Sequence, residues 1–138
     1  YLAHTQYINN WDLVDTSAEH IVGAFLYDKD KKPLFALAKS KSLWERRIAV
    51  IATFYFIRRN RFDTTLDIAH LMLSDGQDLI HKAVGWMLRE IGKRDMSAEE
   101  DFLKKYHPVM PRVMLRYAIE KFPEPKRKEY LNRPGVRR

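Results

Sequence analysis

Cysteine is absent from the 138 residues, which excludes disulfides, thiolate nucleophiles and cysteine-based zinc sites. Glycine and proline are scarce, at five and six, and four of the prolines fall in the last 28 residues. A body so poor in chain breakers favours an all-helical fold. No apolar run approaches the ~18–20 residues of a membrane-spanning helix, and no signal-peptide pattern is visible. GxGxxG, GxxxxGKS/T, GxSxG and HExxH are all missing, so no nucleotide cofactor is expected. The histidines His4, His20, His70, His81 and His107 show no ligand spacing, and no metal is expected either. The chain opens on Tyr1 rather than Met, in helix-like composition, so an N-terminal part is expected to be absent.

What is present is 46% apolar and 31% charged residues, enough for one domain with a real core. The net charge of +7 points to a polyanionic partner, although it is unevenly spread. Residues 46–94 carry +4 and residues 123–138 another +4. The latter form a proline-containing basic tail, open to reading as a short helix or as disorder. The central block is the more telling one.

Helices are expected over about 16–27, 34–38, 43–59, 63–73, 77–94, 96–107 and 111–122. Thr16 with Glu19 fits a capping box, and Ser42 an N-cap. The segment 43–59 is apolar nearly all round, as a helix buried on several sides would be. Along 77–94, at 100° per residue from Lys82, the apolar residues Ile80, Val84, Met87, Leu88 and Ile91 fall between about 140° and 240°. Lys82, Arg89 and Lys93 lie within about 20° of zero, and Trp86 at about 40°. Trp86 therefore belongs to the basic stripe rather than the core stripe. Short turns between such helices imply an α-α superhelix of HEAT or armadillo type over residues 1–122. A basic residue precedes an apolar run at Arg47, Lys82 and Arg112, spaced 35 and 30 apart, within the range of helical-hairpin repeats.

Chemistry concentrates in Asn9-Asn10-Trp11-Asp12-Leu13-Val14-Asp15-Thr16. Asp15 can be read as a first-turn acid that suits the helix dipole, but Thr16 with Glu19 already supplies a cap. A carboxylate beside an indole suits a cationic partner, and a lone carboxylate can stabilise an oxocarbenium-like sugar and orient a water. Asp12 is either a second acid or a solvated surface residue. Trp11 and Trp86 read as walls of an aromatic cleft, against the plainer reading of Trp11 as a helix-corner plug. Trp44 reads as core. Arg47, Lys82, Arg89, Lys93, Arg112 and Arg116 are candidate phosphate contacts, or else a scattered solvated face.

Three segments in order, Asn10-Trp11-Asp12-Leu13-Val14-Asp15, Leu43-Trp44-Glu45-Arg46-Arg47-Ile48-Ala49 and Lys82-Ala83-Val84-Gly85-Trp86-Met87-Leu88-Arg89-Glu90, resemble the signature segments of the DNA alkylation repair family, the AlkD-like DNA glycosylases. The resemblance runs from about Asn9 to Phe122. It implies a HEAT-like α-superhelix with a basic concave face for duplex DNA. It also implies hydrolytic removal of cationic N3- and N7-alkylated purines, with the lesion's sugar and backbone engaged from outside rather than in a base pocket. By position, Asp15 matches the catalytic Asp, Trp11 and Trp86 the two cleft indoles, and Arg47 the backbone-contacting Arg. The resemblance also implies further N-terminal repeats, which this stretch of chain is expected to lack. The expected partner is duplex DNA with alkylated purines, bound by a monomer inside the cell, without membrane, metal or cofactor. The alternative is a non-catalytic HEAT-repeat module that binds nucleic acid or an acidic protein.

Overall fold

A computed structural model of the protein describes residues 17–132. The described chain is all-α, with no strand among the described residues. A π-helical turn, Ala18–Gly23, runs into a short α-turn, Ala24–Leu26; together they form α1. Then come α2 (Lys32–Ala38), α3 (Leu43–Ala52), α4 (Phe54–Ile57) and α5 (Asp63–Leu71). A 3-10 turn, Met72–Ser74, leads to α6 (Asp78–Arg94), and α7 (Met96–Tyr106) follows at once. Another 3-10 turn, His107–Val109, precedes α8 (Arg112–Ala118) and the final α9 (Glu124–Asn132).

Local chemistry explains most of these boundaries. Ser42 caps α3, its hydroxyl accepting from the Glu45 N–H at 3.3 Å, and Asp95 caps α7 through the Ala98 N–H at 3.2 Å, each satisfying an orphan amide of the first turn. The helix expected over 43–59 is interrupted at Thr53. Both its hydroxyl and its amide turn to the Val50 carbonyl, at 2.6 and 3.2 Å. This i−3 back-bonding tightens the helix for one turn. Asn60, in the left-handed region at φ 59°, then ends α4. The Arg61 and Asn60 amides return to the Phe56 and Ile57 carbonyls at 2.9 Å each, a Schellman closure with Asn in the position glycine usually fills. Pro111 sits just before α8 rather than inside it. α8 stops at Ala118, short of the expected 122, and Ile119 and Phe122 still reach the core through looser turns.

α6 is the spine. Its apolar stripe of Ile80, Val84, Met87, Leu88 and Ile91 is almost completely buried. It lies between α3 and α8, and α1 packs on the far side of α3, so these four make a row in chain order. α2 packs on α3, α5 on α3 and α6, and α7 on α6 as a second set. Such alternation is compatible with stacked helical hairpins. In 123–132, the segment left open between helix and disorder, the structure places α9. Tyr130 is buried there, and its hydroxyl donates to Glu100 at 2.8 Å, beside the Lys126–Glu100 ion pair at 2.6 Å. The Lys126 hydrogen bond holds the Glu100 carboxyl below its ordinary range, against the opposing effect of burial.

Two glycines set how closely the row packs. A Cβ on Gly23 would lie 2.4 Å from the Ala52 carbonyl oxygen, and one on Gly85 2.6 Å from that of Met114. Backbone oxygens cannot swing aside as a side chain can. Gly85→Ala is therefore expected to destabilise the fold by about 1–3 kcal/mol, the usual cost of overpacking a filled core, despite the better helix propensity of alanine. Denaturant unfolding of the full chain measures it; an unchanged or raised midpoint would contradict the close α6–α8 approach.

Candidate nucleic-acid interface

The stretch Asn9–Thr16, with Trp11, Asp12 and Asp15, lies outside the described residues. What can be placed are the residues that were expected to face it. Trp86, on α6, is half-buried at the edge of the core. Its indole meets the Phe54 ring edge-to-face, with centroids 5.6 Å apart and planes at 78°, a favoured aromatic geometry. A helical wheel assumes one covered side. In a row, α4 covers a flank as well, so a position about 40° from the basic stripe rests partly on a neighbour. One part of the indole is held and the rest stays accessible.

Phe54 is the hub around which the cations gather. The Arg58 guanidinium lies 4.1 Å from its ring centroid and that of Arg94 5.9 Å away, both within cation–π range. Arg58 Nε donates to Glu19 at 2.5 Å. Arg94 donates to both the carbonyl and the carboxylate of Glu90, and Lys93 to the other carboxylate oxygen at 2.9 Å. Burial alone would raise the Glu90 carboxyl; the bonds from Lys93 and Arg94 outweigh it and hold it below the ordinary range.

The expected phosphate contacts occupy different surroundings. Arg47 is buried, with Nη1 donating to the Leu79 carbonyl at 2.8 Å, which ties α3 to the start of α6. Lys82 is half-buried and has no hydrogen-bond or ion-pair partner among the described residues. Arg89 pairs with Glu120 through Nη1, and its Nε is buried without a partner among the described residues. Lys93 pairs with Glu90. Arg112 donates to the Leu131 carbonyl at 2.6 Å, fastening α9 to α8. Arg116 is exposed. Arg47 and Lys82 occupy the fifth position of α3 and of α6, whereas Arg112 opens α8, so only the first two are equivalent in register.

Neighbouring residues carry structural duties that sequence reasoning did not assign. Arg46 bridges to Asp75 at 2.7 Å and donates to the Ser40 and Lys41 carbonyls, locking two loops together. His81 bonds the Asp75 carbonyl and so belongs to that same lock. A separate cleft of about 300 Å³, lined among others by Tyr27, Lys31, Phe56 and Arg61, includes none of the expected site residues. Among the described residues there is no group of three or more metal-ligating side chains, and no helix is long and apolar enough to cross a membrane. The arrangement is thus one of fixed cations and an aromatic edge.

Compared with known proteins, the sequence profile of the family described as DNA alkylation repair enzyme matches residues 1–122. No curated protein and no solved structure matches the chain significantly.

Proposed function

Because the chain belongs to the DNA alkylation repair enzyme family, we propose that it is a DNA glycosylase hydrolysing the N-glycosidic bond of cationic N3- and N7-alkylated purines in duplex DNA. The observation that supports this best is Trp86: a half-buried indole in a T-shaped contact with Phe54, the ring that the Arg58 and Arg94 guanidiniums also approach. An alkylated purine already carries positive charge, so no acid need protonate it. The bond's electron pair leaves with the base and neutralises it, while positive charge grows on the deoxyribose. In this reading Trp11 and Trp86 stack against that sugar. Asp15 stabilises it and orients the water that bonds to the anomeric carbon and gives up a proton. Arg47, Lys82, Arg89, Lys93 and Arg112 serve the DNA backbone, Arg47 and Arg112 from positions already anchored on carbonyls. The protein acts as a monomer on DNA inside the cell and needs no cofactor.

A second reading, a helical module that binds without catalysis, is favoured by the pairing of Arg89 and Lys93 with carboxylates, since paired surface cations are common scaffold features. Incubation of the full chain with methylated duplex DNA separates the two. Free 7-methylguanine released well above the spontaneous rate is the expected result. Salt-dependent binding with no lesion preference and no base release would establish the second reading instead.

A further inference from the structure

The Arg58 side chain has the form of a prepared contact. Its partner Glu19 is buried, at 5% exposure, and a carboxylate so placed must be paired and hydrogen-bonded. The pairing does not draw the guanidinium under cover. Instead the Arg58 side chain remains 48% exposed against 7% for Glu19. Only its Nε is used, and its two terminal nitrogens have no hydrogen-bond partner among the described residues. The guanidinium is gripped along its Nε edge by Glu19 and on one face by Phe54, at 4.1 Å. What it leaves outward is the terminal fork.

We propose that Arg58 is a DNA backbone-phosphate contact on the Phe54 ring that also holds Trp86, aimed by Glu19 and Phe54. A planar fork with two parallel donors fits two phosphate oxygens, and pre-alignment removes much of the ordering cost of binding. The ring that carries Arg58 is the ring that carries Trp86, so the contact and the indole are set by one aromatic unit. Arg59 adds charge alongside, its guanidinium 3.4 Å from the Tyr55 ring centroid and one nitrogen on the Tyr55 carbonyl. None of these arginines stands at the start of a row helix, where the expected contacts Arg47, Lys82 and Arg112 lie. They stand at the end of α4, on a further stretch of surface. Naming the ligand as DNA rests on the glycosylase reading.

The test is fluorescence anisotropy of a labelled duplex titrated with the full chain over a range of salt, alongside thermal melts. Removing one phosphate contact lowers the slope of log affinity against log salt by about 0.9. Arg58→Gln and the double variant Glu19→Gln/Arg58→Gln, which leaves no unpaired buried carboxylate, are both expected to show this. They should also bind on the order of tenfold more weakly, as for the loss of a charge-assisted hydrogen bond. Arg58→Lys keeps the charge and loses the fork, so it should retain the slope at reduced affinity. A wild-type slope in the double variant overturns the proposal while leaving the glycosylase reading in place. If the double variant does not fold, wild-type affinity and slope in Arg58→Lys do the same. A wild-type chain that ignores DNA and binds an acidic protein overturns both.

Discussion

Asp15→Asn is expected to slow 7-methylguanine release about 10²–10³-fold, the usual cost of deleting one preorganised electrostatic partner of a transition state, with DNA affinity nearly unchanged. Asparagine keeps the volume of the side chain and its capacity to accept a hydrogen bond. It lacks the negative charge. In the ground state the deoxyribose is neutral, so little binding energy depends on Asp15. As the bond to the cationic purine stretches, charge moves onto the sugar, and only then is the carboxylate felt. An effect confined to the transition state lowers kcat and kcat/KM together. Single-turnover release from a methylated duplex, with anisotropy for affinity, distinguishes this from a folding defect. Asp12→Asn is the matched control and should retain near wild-type release. Equal rates in wild type and Asp15→Asn would remove the assignment; a slow Asp12→Asn with a normal Asp15→Asn would move it three residues upstream.

The second large effect concerns stability. Glu99, on α7, is 1% exposed, and its Oε2 is buried without a hydrogen-bond partner among the described residues. Its carboxyl reaches into space made by Gly92, where a Cβ would lie 1.9 Å from Oε1. Burial, reinforced by the neighbouring Glu100 charge and opposed by Arg89, pushes its pKa up to about 9. The folded protein thus holds a proton that the unfolded chain gives up above its ordinary value of 4.5. Below that value Glu99 is neutral in both states and costs nothing through ionisation. Between 4.5 and about 9 stability falls as pH rises, by at most about 1.4 kcal/mol per pH unit; above that window the loss levels off. Glu99→Gln removes the dependence. The variant should melt higher than wild type at pH 8, by several times the difference seen at pH 5, with roughly 4 °C for each 1 kcal/mol. Melting curves at four pH values suffice. A constant difference between variant and wild type across that range would show that Glu99 is ionised in the fold.

Much of the frame is visible in the residues themselves. The 3.6-residue pattern of α6 is clear, because its stripe of Ile80, Val84, Met87, Leu88 and Ile91 faces the core along the helix. Ser42 announces its helix by a cap whose hydroxyl has nothing else to do. Thr53 gives no such sign: it sits in an apolar run that reads as helix from end to end, and only its bond to Val50 reveals the interruption. Adjacent arginines show where residue type stops being informative. Arg46 locks loops, Arg47 ties two helices and Arg58 presents a fork, differences set by neighbours tens of residues away. The Arg58-Arg59-Asn60-Arg61 run is a cluster of charge at a helix end that sequence reasoning did not single out. Its link to Trp86 runs through Phe54, which reads as an ordinary core residue. The proposed chemistry of Trp11 and Asp15 comes from family resemblance and residue type, on a stretch outside the described residues.

The glycines between neighbouring row helices have a mechanical consequence. At Gly23 and Gly85 the helices come within reach of each other's backbone, and no soft layer of side chains separates them there. A spacing set by main-chain atoms leaves less room for adjustment at these two points than an aliphatic seam, whose side chains can change rotamer. The row is therefore a stiff ruler rather than a spring.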